Sequence, residues 1–188
     1  MRKAARTKAR IERTALALFA EKGVDQTTIR DIAEGAGIAE GTIYRHFASK
    51  EELIAGIFAE NYGALAEELD SLQAHHDGIA EKLEAMAGRF FALFESDRDL
   101  FRFLFFVQHG QLEKLPPHTG NVVAVIRAAL EEAMARGEIP RRDPDLATAW
   151  VFGAVTQPAV FRIYGRIATP LTALVRETAA ACLGLLRG

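Results

Sequence analysis

Three groups of residues in this 188-residue chain have side chains able to do chemistry. The first is cationic. Ten Lys and Arg, from Arg2 to Lys50, face six acids over residues 1–50, a local charge of +4, while the rest of the chain holds 13 bases against 19 acids, a charge of −6. A basic end on an acidic body suits a surface that meets a polyanion, or simply a solvated basic helix face. The second group is aromatic: seven of the twelve Phe lie between Phe90 and Phe106, which can fill a core or line an apolar site. The third is His75-His76-Asp77, a run of possible metal or acid-base groups with no further ligands near it in sequence. Ser-His-Asp spacings, HExxH, P-loop and Gly-rich nucleotide signatures are all absent, so the expectation is that the chain is not an enzyme and holds no metal or cofactor.

The composition narrows the class further. An apolar fraction of 49% can bury a sizeable core, and no apolar run approaches the roughly 18 residues of a membrane helix, so no membrane partner is expected. The start, MRKAARTKAR, has no apolar stretch of the kind a secretory signal needs, and a cytoplasmic protein is expected. Cys182 is the one cysteine, which excludes an intrachain disulfide and a thiolate zinc cluster. It reads as a small buried hydrophobe, since no resolving cysteine or basic cluster accompanies it as a redox switch would require.

The elements that must position these residues all read as helix. Residues 3–22 place Ile11, Ala15, Leu18 and Phe19 on one face, with Gly23 as a C-cap. Thr27 and Thr28 are N-cap candidates for a short helix with Ile29, Ile32 and Ala33 inward, and Gly35-Ala36-Gly37 predicts a turn. A second short helix is predicted over about 39–47, with Ile43 and Phe47 inward at i, i+4. Ser49 then caps a long helix over 49–73, with Glu51 and Glu52 at its positive end. Further helices are predicted at 78–95, 98–109, 119–136, 144–165 and 170–187, with an irregular connection from Gly110 to Gly120 and a kink just before Pro158. No period-2 alternation or solenoid repeat competes, so the expected fold is all-α.

Three short helices with a glycine turn between the second and third describe a helix-turn-helix, which presents its third helix to a DNA major groove. The run TTIRDIAEGAGIAEGTIYRHFASKEEL over residues 27–53 resembles the DNA-binding domain of the TetR family of transcriptional regulators, strongly over residues 8–55. The resemblance implies an N-terminal DNA-binding domain over residues 1–50 and a helical effector-binding and dimerisation domain over 51–188. It also implies candidate DNA contacts. Gly41 permits close backbone approach, and Thr42 can reach a base edge or methyl. Tyr44 and His46, flanking the inward Ile43 and Phe47, can grip phosphates, and Lys50 sits where a cation and a helix N-terminus could hold one. Arg45 and Glu40 are the candidates for base selectivity, toward guanine and cytosine respectively. Thr28 can touch a phosphate, act as a plain N-cap, or do both. Two departures from the family pattern are Ala39, where a side-chain N-cap is common, and Ile29, where some members present a polar group.

For the second half the resemblance implies a pocket for a small apolar or amphipathic effector. Phe91, Phe94, Phe105, Phe106, His109, Trp150, Gln157 and Phe161 are the candidates to line it, with an ordinary aromatic core as the alternative. Small residues in the last two helices, among them Ala173, Ala180, Ala181 and Gly184, fit an intersubunit four-helix bundle. The expected protein is a homodimeric, ligand-responsive repressor on a palindromic operator. A helical adaptor that keeps this fold without touching DNA is the rival reading.

Overall fold

The computed structural model describes residues 2–107 and 121–188, with side chains from residue 4 onward except that of residue 107. Nine α-helices account for most of them: α1 Arg2–Lys22, α2 Ile29–Gly35, α3 Glu40–Ile43, α4 Lys50–Gln73, α5 Ile79–Ser96, α6 Arg98–Arg102, α7 Val122–Ala135, α8 Pro144–Ile163 and α9 Val175–Arg187. No strand occurs among the described residues, and the fold is all-α. No helix of these is long and apolar enough to cross a membrane.

Three elements differ from expectation. The helix predicted over 39–47 is α-helical only through Ile43, and turns carry the chain on to Phe47 by bonds from the His46 and Phe47 amides to the Ile43 carbonyl. Past Arg102, α6 widens into a π-helical turn at Phe103–Val107, where Phe103, Leu104 and Phe105 are buried at consecutive positions. The last predicted helix opens with a 3₁₀ turn at Leu171–Leu174 after Pro170. Pro158 removes one backbone donor, yet α8 runs unbroken through it. The connection predicted at 110–120 lies outside the described residues.

Two compact units emerge. The first holds residues 2–61 and 99–107, the second 62–98 and 121–188. In the first, α1 packs on α2 and α2 on α3, around Ile11, Ala15, Phe19, Ile32, Ile43 and Phe58. Phe103 closes this core from far along the chain. Its ring stacks on Phe19 at 5.7 Å and meets Phe58 edge-on at 6.5 Å, so a late segment completes the packing of an early domain.

The second unit packs α5 against α9, α7 against α8 and α8 against α9. Phe90, Phe91 and Phe94 are buried on α5, and Phe90 meets Phe152 edge-on at 6.2 Å. Cys182 is buried here too, and burial pushes its thiol up to about 11, which leaves little thiolate for redox chemistry. Among the described residues Lys82 is the one charged residue that is buried, and its ammonium reaches Glu132 on α7. Glu132 also meets Arg136, which reaches Glu138, and Glu138 in turn accepts from the Ile79 amide at 2.7 Å. That last bond caps α5, whose N-cap, Gly78, has no side chain to do so.

Two outcomes follow from this packing. Phe103→Ala should cost about 3–5 kcal/mol in chemical denaturation, because it empties a ring-sized space between Phe19 and Phe58. The Lys82 hydrogen bond, then its charge, hold Glu132 below its ordinary value of 4.5, so the stability this pair adds is present above that value and is lost as pH falls through the lowered one. In unfolding measured from pH 6 to pH 2, Glu132→Gln should therefore flatten the acid decline.

Candidate nucleic-acid interface

The interface is built on the loop and helices of the first unit. Gly23 ends α1 with φ +86°, a conformation that favours glycine, and turns the chain toward Thr27. Thr27 is fully buried, and its hydroxyl donates to the Gly23 carbonyl at 2.7 Å. Thr28 caps α2: its hydroxyl accepts from the Asp31 amide at 3.1 Å, while the Asp31 carboxylate accepts from the Thr28 amide at 2.8 Å. Those Thr28 bonds, amide first, hold the Asp31 carboxyl below its usual range. The hydroxyl also donates to that carboxylate at 2.7 Å, so the N-cap role is occupied while the side chain remains exposed.

The two turn glycines have different reasons. Gly37 adopts φ +63° between α2 and α3. Gly35 allows close helix approach, since a Cβ there would stand 2.8 Å from Thr14 Cγ2 on α1.

Helix α3 starts at Ala39 without a side-chain cap. It is held instead by Ile43 and Phe47, at 0% and 5% exposure. With these inward, the periodicity turns Glu40, Gly41, Tyr44 and Arg45 to solvent, Tyr44 at 52% exposure. Nothing lies within 4 Å of a Cβ built on Gly41, so its backbone is open to close approach. Thr42 and His46 are half-buried, and the Thr42 hydroxyl accepts from the Arg45 guanidinium at 3.1 Å. Sequence periodicity places these side chains outward but does not reveal that Thr42 and Arg45 are tied together.

Lys50 is turned differently from expectation. Its ammonium donates to the carbonyls of Val24 at 2.8 Å and Thr27 at 2.9 Å, and so points into the α1–α2 loop. At the α4 start, Ser49 accepts from the Glu52 amide at 3.1 Å, the capping expected there.

The effector candidates fall in both units. Phe91 and Phe94 are buried in the second unit, Phe105 is buried in the first, and Phe106 is 37% exposed there. Trp150, Gln157 and Phe161 are exposed. The reason is helical spacing. On α8 the buried stripe is Ala147, Val151, Val155 and Ala159, which leaves Leu146, Trp150, Gln157, Phe161 and Tyr164 on another face. His109 lies outside the described residues. A groove of about 590 Å³ between α4 and α5 is lined by none of these candidates but by Ala64, Glu67, Glu68, Ser71, Leu72 and Arg89. Among the described residues no group of His, Cys, Asp and Glu is arranged to hold a metal ion.

Fold and interface together define a helix-turn-helix protein with a separate all-α body. Residues 11–57 match the family model for bacterial regulatory proteins of the tetR family. The chain is 45% identical over 86 residues to the HTH-type transcriptional repressor KstR2 of Mycobacterium tuberculosis, an alignment spanning 44% of this chain and 40% of that protein. It is 28% identical over 148 residues to the fatty acid metabolism regulator protein of Bacillus subtilis, spanning 76% of each. In three dimensions it is similar to the transcriptional regulator FadR of Bacillus subtilis, solved in complex with stearoyl-CoA, with TM-score 0.82, 24% identity, and coverage of 93% of this chain and 96% of that one. Residues 11–57 thus resemble the DNA-binding segment of the tetR family, and the relatives named here are transcriptional regulators.

Thr28→Ala removes one side of the reciprocal cap and should lower stability by about 1 kcal/mol, read by thermal unfolding.

Proposed function

We propose that the protein is a homodimeric transcriptional repressor that binds a palindromic DNA operator and releases it when an apolar or amphipathic effector occupies the body. The observation that carries this reading is the α3 surface: Glu40, Gly41, Tyr44 and Arg45 exposed beside the buried anchors Ile43 and Phe47, within the segment that matches the family. Arg45 and Glu40 read base edges, Gly41 and Thr42 allow close approach, and Thr28, Tyr44 and His46 position the backbone. Residues 1–50 carry this work, and residues 51–188 carry effector binding and dimerisation. The +4 charge of the first 50 residues supplies affinity that is independent of sequence. A cytoplasmic location belongs to the same reading.

Dimerisation is assigned to α8 and α9. Leu146, Trp150 and Phe161 on α8, with Tyr164 at its C-cap, form an exposed apolar stripe, and Leu185 stands exposed on α9 near Ala181 and Gly184. A face of this kind on a regulator suits a two-fold contact, which would space two α3 helices for successive major grooves, roughly 34–36 Å apart. The effector class follows from the relatives: one is a fatty acid metabolism regulator and another was solved with stearoyl-CoA, so a long-chain acyl thioester is the first ligand to try. Phe91 and Phe94 remain the candidate apolar lining.

The test is fluorescence anisotropy with a duplex taken from upstream of the protein's own coding sequence. Saturable, salt-sensitive binding, tighter than to an unrelated duplex and weakened by stearoyl-CoA, is the expected outcome. Equal affinity for both duplexes would favour an adaptor. Phe161→Glu should shift sedimentation from dimer toward monomer.

A further inference from the structure

Lys50 occupies an electrostatically awkward place, since a cation in the first turn of a helix faces the positive end of the helix dipole. Glu51 and Glu52 share that turn and offset part of the cost. The ammonium reaches 26 and 23 residues back, to the carbonyls of Val24 and Thr27. Both belong to the loop that delivers Thr28, the cap of α2. The Val24 carbonyl also accepts from the Thr27 amide at 3.3 Å, and Thr27 is buried with its hydroxyl on Gly23. This loop is therefore a compact cluster of carbonyls closed by one cation from α4.

The helix held between these two points is α3. It has a single α-helical turn and no side-chain cap, and its flanks are the Gly37 turn on one side and the Phe47–Ser49 segment on the other. Its orientation thus depends on how the start of α2 is fixed relative to the start of α4.

We infer that Lys50 is a positioning residue for α3: its ammonium ties the first turn of α4 to the α1–α2 loop and so sets how α3 meets DNA, instead of binding a phosphate itself. The inference rests on the DNA-binding reading above, and its test separates the two. Two of the three ammonium donors are already used on carbonyls. A phosphate contact would require the ammonium to leave this cluster or share it.

The experiment uses the full chain with Lys50→Met, which keeps the apolar stem and removes the donors, and Lys50→Arg, which restores two. Anisotropy is measured over a sodium chloride series on the upstream duplex and on an unrelated duplex of equal length. Lys50→Met should weaken the upstream duplex by about tenfold, leave the unrelated duplex within about twofold and keep the slope of log affinity against log salt. Lys50→Arg should recover most of the loss. Equal weakening on both duplexes with a slope reduced by about one would make Lys50 a phosphate contact and overturn the inference. So would unchanged affinity for the upstream duplex.

A second measurement needs no DNA. Hydrogen exchange at the amides of residues 24–28 should quicken in Lys50→Met, and unchanged exchange would overturn the clamp. Should Lys50→Met not fold, Lys50→Gln, which keeps one donor group, carries the same comparison. If the wild type does not distinguish the two duplexes, the DNA reading fails, and exchange alone decides whether the clamp exists.

Discussion

The burial of Ile43 and Phe47, one helical turn apart, is the constraint on which the interface depends. A helix as short as α3 cannot stand on backbone bonds alone, because nucleation costs more than one turn returns. Anchored by two apolar side chains, it keeps one face turned inward. Everything turned outward, Tyr44 and Arg45 included, is placed by what is turned inward. The glycines serve the same anchoring: Gly37 supplies the turn, and Gly35 lets α2 lie close enough to Thr14 for the cluster to close.

Much of this was legible in the sequence because it is local. Apolar spacing marked α1, α2 and α4 to within a residue or two, and Thr28 and Ser49 were readable as caps from their place before apolar runs. What escaped was set by distance in the chain. The Lys50 bonds to Val24 and Thr27 close loops of over twenty residues, and the type of residue 50 says only that a cation is there. Phe103, at the π turn, likewise packs against Phe19 and Phe58, a pairing across the chain that no local pattern encodes. On α8 the difficulty was different. With apolar residues on two faces, its sequence does not say which one meets the rest of its own unit, and Trp150 and Phe161 turned out to lie on the other.

The charge separation gains physical content from the structure. The overall charge of −2 conceals a basic first segment that carries the exposed α3 surface, and an acidic remainder in which ion pairs link neighbouring helices. Lys82, Glu132, Arg136 and Glu138 are spent on joining α5 to α7 and on capping α5. Such a network holds a helical body together and offers little free charge to a polyanion.

Phe103 has a consequence for how such proteins can be recombined. The unit that carries α3 is assembled from two stretches of chain, residues 2–61 and 99–107, and its core is complete only when the second contributes its ring to Phe19 and Phe58. A chimera that takes the first stretch alone and joins it to a foreign body would leave two aromatic faces without their partner. Exchange of this unit between proteins of the same fold therefore works best with two crossover points, or between bodies that already offer an aromatic ring at this place.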